Sequence, residues 1–473
     1  MKKVLFILAG VAAAVVIAVV IFVLTFDLNR YKSRIETAAS EATGLTVRLN
    51  GRVGLTLFPL ANVSLEDIQV QNQSSEVVSA KKAVVKIRLL PLVRGKILIR
   101  QVKLISPGFF ITRDRKGHFN FAAPEIKHAG KGLAGKPFEL ETILIKNGHV
   151  LYLNEKTGGE IEASECDLAI KNLFVDGGGS IYDGSFDGDL SCREVKAKGL
   201  EVSDISVAMT ARKGKFEANL LTMKIFGGDG SGSIKGVMAG ESHEHTVDFA
   251  ITKFRFEDVL GAFKQKKSIR GELNLESHLT MKGRNPNEMT RTAQGEISLR
   301  GQDLVHVSID LDDVLEKYED TQHTTLVDMG AFFIAGPLGT LLTKGYAFGS
   351  VYTASMGGKS EIQKLVSDWK VNNGVAKAQD VAFSTVQNRV AMKGKLDFVN
   401  EQFEDVTVAV VDEKGCVRFW QKIHGNFRDP RIGKVSTLRS IAGPLINLYE
   451  TTRDVFSGGE CDIFYAGSVR HPK

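Results

Sequence analysis

The chain has 473 residues, 61 Lys plus Arg against 55 Asp plus Glu, and a net charge of +6. With 43% hydrophobic and 25% charged residues it matches an ordinary globular composition, which excludes a disordered chain and a multi-span membrane protein. No run of five Lys/Arg occurs, so a nucleic-acid partner is not expected. Gly is abundant at 47 and Pro scarce at 10, a balance that suits many strands joined by tight turns.

The N-terminus carries the first element. Lys2 and Lys3 precede the uncharged run Val4 to Phe26, whose 23 residues include Thr25 as the one polar side chain. A helix of that length reaches roughly 35 Å, enough for a bilayer core of about 30 Å. A cleaved signal peptide would have a shorter apolar region and small residues at a cleavage site, whereas Phe26-Asp27-Leu28 follows here. Residues 1–27 are therefore read as an uncleaved transmembrane anchor. Flanking charge leaves its orientation open: Lys2 and Lys3 stand on one side, Arg30, Lys32 and Arg34 on the other.

Leu28 to Thr43 reads as a helix with Asp27 as its cap and Gly44 as its end. The period then changes to two. Leu45, Val47 and Leu49 alternate with polar residues, as do Ala83, Val85, Ile87 and Leu89, and Ile205, Val207 and Met209. Between Gly271 and Met281 the apolar set is Leu273, Leu275, Leu279 and Met281. Such alternation marks strands with one apolar and one wet face. A short element recurs as Gly271-Glu-Leu-Asn-Leu, Gly295-Glu-Ile-Ser-Leu and Gly394-Lys-Leu-Asp-Phe, at irregular spacing. Helices are expected at 310–320, 325–343, 360–369 and 437–455. The total, roughly 25–30 strands, exceeds what a sandwich or barrel closes with, so an extended, strongly bent sheet is expected.

Local motifs for chemistry are weak. Asp183, Ser185, Asp187, Gly188 and Glu194 imitate the spacing of a calcium loop, but position 3 is Ser and glycines rather than a helix precede it, so a polar hairpin is the reading. His243-Glu244-His245 lacks zinc-protease spacing and reads as a solvated turn. No CxxC, GxSxG or Walker pattern occurs, and no enzyme activity, metal or cofactor is expected. Cys166, Cys192, Cys416 and Cys461 allow three pairings. Two disulfides, in an oxidising compartment, and four buried thiols are both open readings.

Several stretches carry a family resemblance. Asp27-Leu28-Asn29-Arg30-Tyr31 follows the apolar run, then a helix ending in Ala42-Thr43-Gly44. Val53-Gly-Leu-Thr-Leu-Phe-Pro59, Val63-Ser-Leu-Glu-Asp67, Leu89-Leu-Pro-Leu-Val-Arg-Gly95 and Pro107-Gly-Phe-Phe-Ile111 come next in order, with a turn from Asp114 to Asn120. Asn373-Gly374-Val375, Gly394 to Phe398 and Gly425-Asn-Phe-Arg-Asp-Pro430 add weaker matches. In this order the residues resemble the AsmA family of bacterial envelope proteins. The expected organisation is an anchor (1–27), an AsmA-like N-terminal region (28–124), a β-groove middle (125–290) and an AsmA-like C-terminal region (291–473).

The resemblance implies a mainly β fold: a transmembrane helix, then an elongated, strongly bent antiparallel β-sheet groove with a few short helices. It implies a single-pass bacterial inner-membrane protein, held through residues 4–26, with its body in the periplasm. The implied function is phospholipid binding or transport in support of outer-membrane biogenesis, without catalysis. The alternative is an envelope scaffolding factor for outer-membrane protein assembly, with a protein partner. Phe216, Phe249, Leu273, Leu275 and Phe398 are the candidate groove residues. Twenty-five strands would give a groove on the order of 120 Å.

Overall fold

The computed structural model describes residues 28–56, 61–73, 75–88, 98–122, 138–175, 184–237, 243–262, 269–307, 310–313, 315–316, 358–427, 429–433, 436–437 and 461–472. The apolar run 4–26, Asp27 and the expected helix 325–343 lie outside them, as does 438–455. Among the described residues no helix is long and apolar enough to cross a membrane. The chain divides into two compact units, Met1–Ala218 and Asn219–Lys473.

The first unit opens with a 3-10 turn, Leu28–Tyr31, and the helix α1, Lys32–Thr43. Gly44 ends α1 in the left-handed region at φ 71, its N–H donating to Ser40 O, as a C-terminal glycine does at no steric cost. Strands β1 (Thr46–Leu49) and β2 (Val53–Thr56) both pair with β3 (Asn62–Asn72). The free edge of these first strands meets side chains of the preceding segment. The N–H of Val47 donates to Ser40 Oγ at 2.9 Å, that of Leu49 to Glu36 Oε1 at 2.7 Å, and that of Val53 to Asn29 Oδ1 at 2.9 Å. Donors that an edge strand would expose are satisfied from within.

The sheet continues through β4 (Ser75–Ile87), β5 (Ile99–Arg113), β6 (Phe138–Asn154), β7 (Gly159–Val175), β8 (Ser185–Ala197) and β9 (Leu200–Arg212). Neighbouring strands pair antiparallel with one exception: β5 and β6 run parallel, Val102 opposite Ile143 and Ile111 opposite Tyr152. The sheet is therefore mixed, which corrects the all-antiparallel expectation. A tight hairpin forces antiparallel pairing; the 24 residues between β5 and β6 permit a crossover.

In the middle of five strands one residue stands at positive φ: Asp67, Ser106, Asn147, Glu165 and Asp204, with φ between 46 and 53. Neighbouring positions lie side by side, since Asn147 Nδ2 donates to Ser106 Oγ at 3.2 Å and Arg193 pairs with Glu165 at 2.6 Å. The β6–β7 register shifts beside Asn147 and Glu165, as at a bulge, while at Asp67, Ser106 and Asp204 both paired strands skip one residue together. The alternation of faces reverses across this bulge line, and such irregularities bend and twist the strands. The β10 strand (Lys215–Ile225) spans the boundary between the units.

The second unit holds β11 (Gly228–Val237), β12 (Glu244–Arg255), helix α2 (Phe256–Ala262), β13 (Ile269–Arg270), β14 (Glu272–Lys282), helix α3 (Pro286–Thr292) and β15 (Gln294–His306). There follow β16 (Ser360–Asn372), β17 (Val375–Ser384), β18 (Arg389–Asp397), β19 (Gln402–Val411), β20 (Val417–Asn426), β21 (Asp429–Ile432) and β22 (Ser436–Thr437). Apart from the two-residue β13, each strand from β11 to β20 pairs antiparallel with the next; β13 joins β15, and β21 and β22 both join β20. Twenty-two strands are present among the described residues.

One of the expected helices is a strand, and another, 310–320, is helical over most of its described residues. Residues 360–369 form part of β16, not a helix. Leu365, Val366 and Ser367 are all buried because both faces of the strand are covered, which erases the period of two and mimics an amphipathic helix. Of 310–320, Leu311–Asp313 and Leu315–Glu316 are helical, with Leu311 and Leu315 buried in the core.

One core cluster fills one face of this sheet with Phe254, Leu273, Leu304, Phe383, Val408 and Phe419, joined by Phe256 and Val259 of α2. The other face carries the row Val366, Ala382, Ala391, Ala409, Trp420. Against it lies the C-terminal segment, through Tyr465 and Val469. Cys416 is disulfide-bonded to Cys461 at its start. Further along, Tyr465 Oη donates to Asp380 at 2.5 Å, the Ser468 N–H to Asp380 at 2.9 Å, and Arg389 Nη1 to Val469 O at 3.0 Å.

Candidate functional site

The bulge line organises the first unit into two chemically distinct faces. Following cross-strand partners from β3 to β9, one row reads Leu65, Ala83, Leu104, Ile145, Leu168, Leu190, Val207. Beyond the bulge the same face continues as Val70, Val78, Phe109, Val150, Ala163, Val195, Val202. Seven strands thus share an apolar surface, and each large side chain named here is half-buried rather than buried. In the second unit, by contrast, the corresponding large side chains are sealed: every one of the largest fully buried residues lies there. Single-layer burial across β3–β9 is what an apolar sheet face retains when a second layer does not cover it.

The opposite face is largely charged and self-neutralising. Glu66 pairs with Lys82 at 3.0 Å and Lys146 with Asp167 at 2.6 Å, while Arg212 reaches Asp187. Asn172 and Arg212 hydrogen-bond the Asp187 carboxylate and hold it below the usual carboxylate range. These exposed pairs add little stability, but they keep that face wet and fix which side of the sheet meets water.

Polar clusters elsewhere do not assemble a reactive centre. Asp248 bonds both Ser233 Oγ at 3.2 Å and the His278 ring on the exposed face of β11, β12 and β14, and His278 holds its carboxyl below the usual range. The serine thus meets the acid and not the imidazole, which is the wrong order for activating a nucleophile. The calcium-like spacing falls within β8 from Ser185 to Glu194, a strand rather than the expected hairpin; Asp183 lies outside the described residues. His245 stands on β12 opposite Met281, so it belongs to a strand and not to a turn. No group of three metal-binding side chains comes together among the described residues.

The residues singled out from sequence land in different surroundings. Phe216 is half-buried on β10. Leu273 is 1% exposed and belongs to the second unit's core. Phe249, Leu275 and Phe398 are half-buried and pack against that same cluster, Phe398 edge-on to Phe427 at 5.9 Å. Cys166 and Cys192 are cross-strand partners of β7 and β8, bonded to each other on the apolar face beside Gly148. Sequence reasoning missed Leu104, Ile145, Leu168 and Leu190. The signal was present in two phases: Ile143 and Ile145, then Val150 and Tyr152, alternate in β6 with a one-residue slip at Asn147. A search for period two that allows one slip per strand finds them.

A model of the AsmA family matches residues 1–174 and 176–381 of the chain. No curated protein and no solved structure matches it.

Proposed function

The chain belongs to the AsmA family, and we propose that it holds phospholipid on the apolar face of β3–β9, which serves as a lipid-binding groove. The observation that carries this reading is the continuous, half-exposed row from Leu65 to Val207 backed by a charged face. Acyl chains laid on such a surface leave water at about 0.8 kcal/mol per CH₂, while headgroups stay at the wet rim. Bending at the bulge line curves the strands around the chains. Binding of this kind acts through area and shape, so the protein works without a catalytic group. Residues 4–26 anchor it in the bacterial inner membrane, the body lies in the periplasm, and the role is to bind or carry phospholipid for outer-membrane biogenesis. An oxidising periplasm also suits the two disulfides.

The test is site-specific photo-crosslinking of the full chain in bacterial cells. A photoreactive phenylalanine analogue replaces Leu168 or Leu190 on the apolar face, and Ala169 or Asp189 on the other. Crosslinks to phospholipid from the first pair and none from the second support the reading. Protein adducts from Leu168 and Leu190, with no lipid, favour the scaffolding alternative.

A further inference from the structure

The turn that follows β5 holds two aromatic rings in water. Phe119 and Phe121 are 37% and 45% exposed, and their rings stack with centroids 5.0 Å apart. The turn is well built. The Asn120 side chain accepts from the Thr112 N–H at 2.9 Å and donates to Phe110 O at 2.7 Å, and Asn72 Nδ2 donates to Asn120 O at 2.7 Å. Phe119 forms an antiparallel bridge with Arg113, which continues the parity of Phe109 and Ile111. The rings therefore extend the apolar face at the end of its strands, where Ile161 is also 42% exposed. Contiguous exposed apolar surface marks a contact site.

Within residues 113–121 the charges open to a partner are cationic. Arg113, Arg115 and Lys116 are exposed. Arg113 lies 5.6 Å over the Phe119 ring and donates to Gly117 O at 3.2 Å. The carboxylate of the turn, Asp114, is turned back on it: its Oδ1 accepts the His118 N–H at 2.8 Å and its Oδ2 faces the His118 ring at 3.2 Å. Paired rings flanked by cations match the boundary between headgroups and acyl chains. A stable protein interface needs roughly 800 Å² per partner, more than an eight-residue turn offers; a bilayer needs no matched pocket.

We propose that the turn 114–121 is a membrane-touching tip that docks on an anionic phospholipid bilayer, Phe119 and Phe121 entering the boundary and Arg113, Arg115 and Lys116 meeting phosphates. It stands whether or not lipid occupies the apolar face. The first unit contains no tryptophan, Trp369 and Trp420 both lying in the second, so Phe119→Trp supplies a local probe. The full-length variant is reconstituted into vesicles of phosphatidylcholine with about one-third phosphatidylglycerol, with and without brominated acyl chains. The emission gained over wild type is expected to be quenched by bromine. Adding Arg115→Glu and Lys116→Glu, both on exposed positions, is expected to lower the quenched fraction at least tenfold. An unquenched indole in a folded protein overturns the proposal, and so does equal quenching in pure phosphatidylcholine. Equal quenching in detergent-dispersed protein loaded with brominated lipid but lacking a bilayer also overturns it, since the ring would then be reading lipid on the sheet. Lipid co-purifying with the same samples reports separately on the apolar face.

Discussion

Replacing Leu168 by serine distinguishes the proposed lipid-contacting face from a sealed core. Leu168 is half-buried between its cross-strand partners Ile145 and Leu190. Full burial of a leucine stabilises by roughly 1.5–3 kcal/mol, so half-burial puts the loss near 1 kcal/mol, about a five-fold rise in local opening. Phe383 is the comparison: it is 0% exposed, between Leu365 and Val390. Phe383→Ala should cost about 3–5 kcal/mol, at least a hundred-fold. Hydrogen exchange of the full chain, read over peptides from β7–β8 and from β17–β18, measures both. Bound phospholipid, counted by mass spectrometry, should fall in Leu168→Ser together with Leu190→Ser and stay unchanged in Phe383→Ala molecules that remain folded. A hundred-fold rise for Leu168→Ser would refute the reasoning, because it would mean that the face is packed against protein.

Gly295 stands at φ 140, and a Cβ there would lie 1.9 Å from His278 O; Gly295→Ala should destabilise β14–β15 by more than about 2 kcal/mol, seen as early urea unfolding. Burial works to raise the Asp380 carboxyl, but hydrogen bonds from Tyr465 and Ser468 outweigh it and hold it low. A folded-state value below the unfolded one gives stability that is full above about pH 4 and is lost as pH falls through the folded value. Protease cleavage after Arg470 should therefore rise on acidification in wild type, and Asp380→Asn should raise it at neutral pH and flatten the pH dependence. The bond between Cys416 and Cys461 closes a separation of 45 residues, worth up to about 4 kcal/mol by chain entropy; Cys416→Ser with Cys461→Ser should loosen the C-terminal segment before the sheet, measurable by exchange at 461–472.

Strand identity was legible wherever one face is wet. In β14, Leu273 is buried and Leu275 and Leu279 half-buried, while Glu272, Asn274, Glu276 and His278 are exposed, following the alternation read from sequence. The recurring glycines were legible too: Gly271, Gly295 and Gly394 stand at φ 130 to 140, close against a neighbouring strand. Bulges hid the rest. A residue such as Asn147 or Asp204 slips the phase by one, so a seven-strand apolar face looks like short unrelated runs. Of the groove candidates, Leu273 lies in the second unit's core, Phe249, Leu275 and Phe398 pack against it, and Phe216 is half-buried on β10. The parallel pairing of β5 with β6 leaves no local mark, because it depends on where a long connection returns.

The side chains of Asn29, Glu36 and Ser40 that close the outer edge of β1 and β2 make the sheet a structure with a fixed beginning. Growth by recruiting another molecule's strand at that margin is disfavoured, since three of its donors are already occupied. Hairpins inserted between existing strands, in contrast, leave the margin untouched and bring their own partners. The sheet can then lengthen by whole hairpins without disturbing the 3-10 turn, the helix and the three acceptors they supply.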